Sequence, residues 1–167
     1  GKGMECYGSS LVNIYKSLGL IPPDMDRKEF ENKHTNLGGN NSDNEPKIPA
    51  IYNNSLQYAG AIPEFGQQAG ADFANKLAQG DWAKLTGMSQ YHYDVQKIHT
   101  DTEAMEVIDN GGVVGFTRTW DGHRSVAAGY LKFEVMAYKY CDSLVNGKGG
   151  YYYGEVNDIF TIKKVRK

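Results

Sequence analysis

Residues 120–143 read "WDGHRSVAAGYLKFEVMAYKYCDS", and this stretch decides the fold class. A glycine-preceded histidine opens a run of small and apolar residues that ends at Tyr130. Phe133 to Tyr140, "FEVMAYKY", alternates polar and apolar residues, the period of a strand with one buried face. His123–Tyr130 and Phe133–Tyr140 therefore predict neighbouring antiparallel strands joined by a tight turn. Val113–Phe116 before them predicts another strand, as do Tyr151–Tyr153 and Ile159–Val165 after them. Much of the chain's tyrosine falls in this region, and aromatic side chains pack well on a pleated surface.

The residues upstream follow a different period. Leu11, Ile14, Tyr15 and Leu18 recur as one buried face of a helix. Gly19 can cap it, and Pro22-Pro23 forbids its continuation. Asp24–Lys33 predicts a short second helix anchored by Phe30. Asn36–Asn44 is polar, rich in Gly and Asn, and predicts an exposed loop. Ile51–Tyr58 and Asp72–Leu77 predict weaker helical segments, and Ser89–His99 a strand or extended crossover. Asp101–Ile108 opens on a capping residue and an acidic first turn, and Asn110-Gly111-Gly112 stops it. Helices followed by a mostly antiparallel sheet make an α+β fold. With 167 residues, no internal repeat and no linker, the whole chain, residues 1–167, is expected to be a single domain.

Composition narrows the function. Lys plus Arg is 18 and Asp plus Glu is 20, which leaves no basic footprint for nucleic acid. The basic end Lys163–Lys167 reads as solvated, and no apolar run approaches the length of a membrane span. Cys6 and Cys141 are the two cysteines, too few for a disulfide scaffold, although one bridge between them is possible. Neither has a second Cys or a His at zinc-ligand spacing, so no metal or other cofactor is expected.

A cysteine nucleophile needs a lowered pKa, a base, and a group that orients the base. Cys6 stands just ahead of the first amphipathic helix, where free N–H groups and the positive helix end stabilise a thiolate. Gly8-Ser9-Ser10 keep that end open for a substrate. Of the four histidines, His34, His92 and His99 sit in settings that suggest structural or idle roles. His123 differs, because Gly122 gives backbone access. The small residues Ser125, Ala127, Ala128 and Gly129 after it suggest close packing against the helix that follows Cys6. A hairpin turn centred between Lys132 and Phe133 places Asp142 directly across from His123. Opposed residues have Cβ atoms roughly 4.5–5.5 Å apart, close enough for a carboxylate to hold an imidazole.

With these residues in place, "ECYGSSLVNIYKSLG", "DTEAMEVIDNGGVVGFT", "GHRSVAAGY" and "YCDS" resemble the papain-like cysteine peptidase superfamily. The pattern is most similar to the bacterial C39-like peptidases, and the opening stretch is also similar to the NlpC/P60 cell-wall peptidases. The likeness covers residues 4–20 and 101–143. It implies a papain-like fold, with the Cys-led helix packed on the C-terminal sheet, and a thiol hydrolase. Cys6 would attack an amide carbonyl, His123 would move the proton, and Asp142 would orient the imidazole. The Cys6 N–H would donate to the oxyanion. The family usually carries a Gln a few residues before the Cys, and residues 1–5 hold none. Ser143 follows Asp142 where the C39-like pattern favours Pro.

The expected activity is hydrolysis of a peptide or isopeptide bond, with a peptide, protein or cell-wall peptide as partner. One alternative is a peptidoglycan amidase or endopeptidase, the toxic effector domain of a larger secreted bacterial protein. Another is a non-catalytic binding module on the same fold. A secreted or cell-envelope setting is the expectation.

Overall fold

The apolar spacing at Leu11, Ile14 and Tyr15 does what a helical period demands. All three are fully buried on one face of helix α1, Cys6–Ser17. Burying side chains of this size stabilises by about 1.5–3 kcal/mol each. Gly19 ends α1 in the left-handed region (φ 75°), with its N–H on the Lys16 carbonyl. These details come from a computed structural model describing residues 6–26, 29–30, 63–132, 134–141 and 150–167. The side chains of residues 6–9, 63–66, 140 and 141 fall outside that description.

Helix α2 spans Pro63–Leu77, longer than the expected Asp72–Leu77, and α3 spans Asp81–Thr86. Helix α4, Asp101–Asp109, starts where the sequence placed it, but the cap is Thr100, whose hydroxyl accepts from the Glu103 N–H. Gly111 follows it at φ 85°. Six strands are described: β1 Tyr91–Lys97, β2 Val114–Arg118, β3 Arg124–Lys132, β4 Met136–Cys141, β5 Tyr151–Tyr152 and β6 Val156–Arg166. They form one antiparallel sheet in the order β1-β6-β2-β3-β4-β5. The α+β class holds. Half of the expected helix Asp24–Lys33 lies outside the described residues, and the loop Asn36–Asn44 and the segment Ile51–Tyr58 lie wholly outside them.

Two apolar clusters sandwich the sheet. On one face α1 and α2 pack against Tyr93, Val126, Phe160 and Ile162. On the other, Ala104 of α4 packs with Val114, Phe116, Ala127 and Tyr138. Adjacent residues Val126 and Ala127 thus serve opposite layers, as strand alternation requires. Helix α1 packs on β3 as expected, but not through all of the small residues expected. The β3 residue in its cluster is Val126, whereas Ala127 serves the α4 side and Ala128 is exposed.

Helices α1 and α2 run side by side in the same direction. The Tyr15 hydroxyl donates to the Gly70 carbonyl at 2.7 Å, and the Tyr15 and Phe73 rings lie 6.0 Å apart. A Cβ at Gly70 would stand 2.9 Å from Leu11 Cδ2, so glycine sets the closeness of the pair.

The β3–β4 hairpin departs from the expected register. Lys132 pairs with Met136, so the loop is residues 133–135 rather than a turn between Lys132 and Phe133. A bulge between Ala127 and Gly129 then shifts the ladder, and Val126 pairs with Cys141 instead of Lys139. An offset of two keeps every side chain on its face but moves it along the strand.

Candidate active site

The direction of α1 decides what its first turn can meet. Ser10, 1% exposed, lies in a tight seam with Thr117 at the end of β2, with Arg124 and Ser125 at the start of β3, and with Asp158 of β6. At its other end, Ser17, Leu18 and Gly19 border a hollow with Gly111 and Gly112, just ahead of β2. Helix α1 therefore runs along β3 and against β2. Position 6 lies one turn ahead of position 10 on the same helical face. The head of α1 and the start of β3 share one end of the sheet.

His123 immediately precedes β3 at that end. Its Nε2 atom is screened from solvent, and the residue is half-buried. The tight connection from β2 to β3 holds its backbone. The Arg118 N–H donates to the His123 carbonyl at 2.9 Å, and the Gly122 N–H to the Arg118 carbonyl at 2.8 Å. Gly122 takes the left-handed conformation (φ 70°), which an Asp-Gly pair supplies with little strain. Asp121 ties the turn together. Its Oδ1 accepts from the His123 N–H at 3.1 Å and from Arg118 Nε at 3.1 Å, and its Oδ2 from an Arg118 terminal nitrogen at 2.5 Å. Partial burial works to raise the Asp121 pKa. The hydrogen bonds from Arg118 and from the His123 N–H, with the two nearby charges, outweigh that and hold the carboxyl below its usual range.

Of the three residues singled out from the sequence, the backbone of Cys6 and the whole of His123 are described, and they come to one end of the sheet. The Cys6 side chain and all of Asp142 lie outside the described residues. The Cys141 backbone, directly before Asp142 in the chain, stands opposite Val126.

Two contributions were missed in the sequence. Asp121 was legible as half of an Asp-Gly turn signal beside the histidine, and only its turn role was available to notice. Gln67 of α2 had no signal. It is 4% exposed, its Nε2 donates to the Asp158 carbonyl at 3.4 Å, and its Oε1 has no hydrogen-bond partner among the described residues. Because α1 and α2 run parallel, Gln67 brings a buried carboxamide to the α1-head end.

Compared with known proteins, the chain matches no family model, no curated protein and no solved structure. Among the described residues, no helix is long and apolar enough to cross a membrane.

Proposed function

We propose that the protein is a papain-like cysteine peptidase or amidase, with Cys6 as nucleophile, His123 as general base and acid, and Asp142 as the group that orients the imidazole. The observation that carries this reading is the course of α1, which sets its head at the end of the sheet where His123 enters β3.

The first turn of α1 has free N–H groups and a positive end, both of which favour a thiolate at position 6. The thiolate adds to a substrate amide carbonyl. His123 gives its proton to the departing amine as the C–N bond breaks, leaving a thioester on Cys6. His123 then takes a proton from water, which adds to the thioester and releases the acid and the free thiol. The Cys6 N–H donates to the oxyanion. Gln67, with a second N–H on its amide nitrogen, supports the reading as the second donor, in place of the glutamine that residues 1–5 lack. The fixed backbone of His123 supports it too, because a base is effective only when its geometry is held.

The test compares the two cysteines and two substrates. Iodoacetamide is expected to alkylate Cys6 faster than Cys141, and Cys6→Ala to abolish hydrolysis. Casein and purified peptidoglycan, offered separately, report whether protein or wall peptide is cut. Equal, slow alkylation of both thiols, with no new amines from either substrate, overturns the proposal. A mass lower by two hydrogens under non-reducing conditions would show a Cys6–Cys141 bridge and overturn it for that state.

A further inference from the structure

On the face of the sheet opposite α1, the head of α4 and the turn from β5 to β6 enclose a depression of about 370 Å³. That is within the roughly 300–1,000 Å³ range of small-molecule sites. Tyr138 of β4 lines it. Its side chain is 3% exposed, and its hydroxyl is screened from solvent with no hydrogen-bond partner among the described residues. A buried hydroxyl left so costs about 1–3 kcal/mol, and such groups ask for a reason.

The surroundings say what would complete it. Asp101, also lining the depression, is bound to Lys132 Nζ at 2.9 Å, which leaves further lone pairs on its carboxylate. Glu155 borders the same space. Met136 and Val156 give it an apolar wall, and Tyr153, 60% exposed, stands at its rim.

Three ligand chemistries can be compared. An anion accepts from Tyr138 but faces the charge of Glu155, while Asp101 is already balanced by Lys132 and His99 borders the same space. An ammonium ion donates to the carboxylates but cannot accept the phenol proton. A hydroxyl does both, accepting from Tyr138 while donating to a carboxylate. A sugar ring adds a C–H face that packs by dispersion on an apolar wall and an aromatic rim. We propose that this depression is a binding site for a neutral saccharide unit, with Tyr138 as its buried donor and Tyr153 as its rim contact.

The phenol is suited to donating. Burial, and then the Asp101 charge, push the Tyr138 pKa up to about 12, so its proton stays in place through the neutral range. Tyr153 and Val135, 60% and 61% exposed, border the same depression and are free to adjust to a ligand. The site does not depend on Cys6.

Calorimetry and amide NMR on the full chain test it, with chitobiose and cellobiose as neutral probes, cadaverine as the cation and glutarate as the anion. The disaccharides are expected to bind with millimolar Kd and to shift amides at Tyr138, Tyr153 and Glu155. Tyr138→Phe should weaken binding roughly three- to tenfold, the effect of one hydrogen bond, without lowering the melting temperature. Tyr153→Ala, at an exposed position, should weaken it several-fold in a folded protein. The proposal is overturned if neither disaccharide shifts these amides at tens of millimolar, if cadaverine or glutarate alone binds, or if both variants bind as the parent does.

Discussion

Asp121 grips His123 by its main chain: the carboxylate accepts the His123 N–H at 3.1 Å while the Arg118 guanidinium holds it from the other side. The turn that delivers the proposed base is therefore fixed by a neighbour two residues away. That neighbour is distinct from the group proposed to orient the ring.

Replacing Asp121 tests this. Asp121→Ala should lower stability by about 1 kcal/mol, the usual worth of a partly exposed charge-assisted hydrogen-bond pair, read by urea denaturation. The sign with pH follows from its lowered pKa. The contribution is fully present above the unfolded carboxyl value of about 3.9 and is lost as pH falls through the lower folded value. The stability gap between parent and Asp121→Asn should thus be flat near neutrality and close in acid. A gap that widens on acidification would contradict the assignment. Iodoacetamide labelling of Cys6 should also slow in Asp121→Ala if the imidazole supports the thiolate.

Two glycines separate backbone strain from steric conflict. An added Cβ at Gly122 meets nothing within 4 Å, but φ is +70°. Gly122→Ala should cost about 1–2 kcal/mol from conformation alone. At Gly115 a Cβ would stand 2.8 Å from the Phe160 ring. Gly115→Ala should cost about 1–3 kcal/mol through overpacking, and Phe160→Leu should recover part of it. Thermal melts of the single and double variants decide between the two causes.

The Tyr15 hydroxyl pins α1 to α2 through the Gly70 carbonyl. Tyr15→Phe keeps the ring and removes the pin, so stability should fall by about 1 kcal/mol with the denaturant slope unchanged.

Alkaline titration has a clear order. Burial raises Tyr93 and Tyr138 to about 12, with neighbouring charge adding to it in each case. Absorbance of the folded protein should show these two ionising well after the exposed tyrosines. Their contribution to stability is fully present below the unfolded value of about 10 and is lost as pH rises toward 12. Tyr93→Phe should flatten part of that loss.

Where the sequence alternated at a clean period, the elements were legible. α1 followed from four apolar positions and a glycine, and α4 from a cap, an acidic turn and Asn110-Gly111-Gly112. The strands near 113–116, 123–130 and 159–165 followed from short apolar runs. The hairpin register did not: the lone Gly129 is the only hint of the bulge between Ala127 and Gly129, and nothing in "AAGYLKFEV" marks a loop of three residues. α2 was underestimated because its early turns, "PEFGQQAGA", carry two glycines and few apolar residues. Its helix is held by packing on β1 and β6 rather than by propensity. At the candidate site, the nearness of the α1 head to the start of β3 was legible from the small residues after His123. Gln67 and Tyr138 were not, since their interest lies in being buried polar atoms, which only the packing reveals.

The sheet is not assembled in the order in which the chain is made. β1 borders β6 alone in the strand order, and β6 begins only at Val156, well after β2, β3 and β4 have been synthesised. Until then both β1 and β2 present a bare row of peptide groups to their surroundings, the kind of template that captures other chains. A growing or truncated polypeptide that stops short of the last strand is thus expected to be sticky rather than merely incomplete. In the folded sheet β6 lies between β1 and β2 and covers both rows at once.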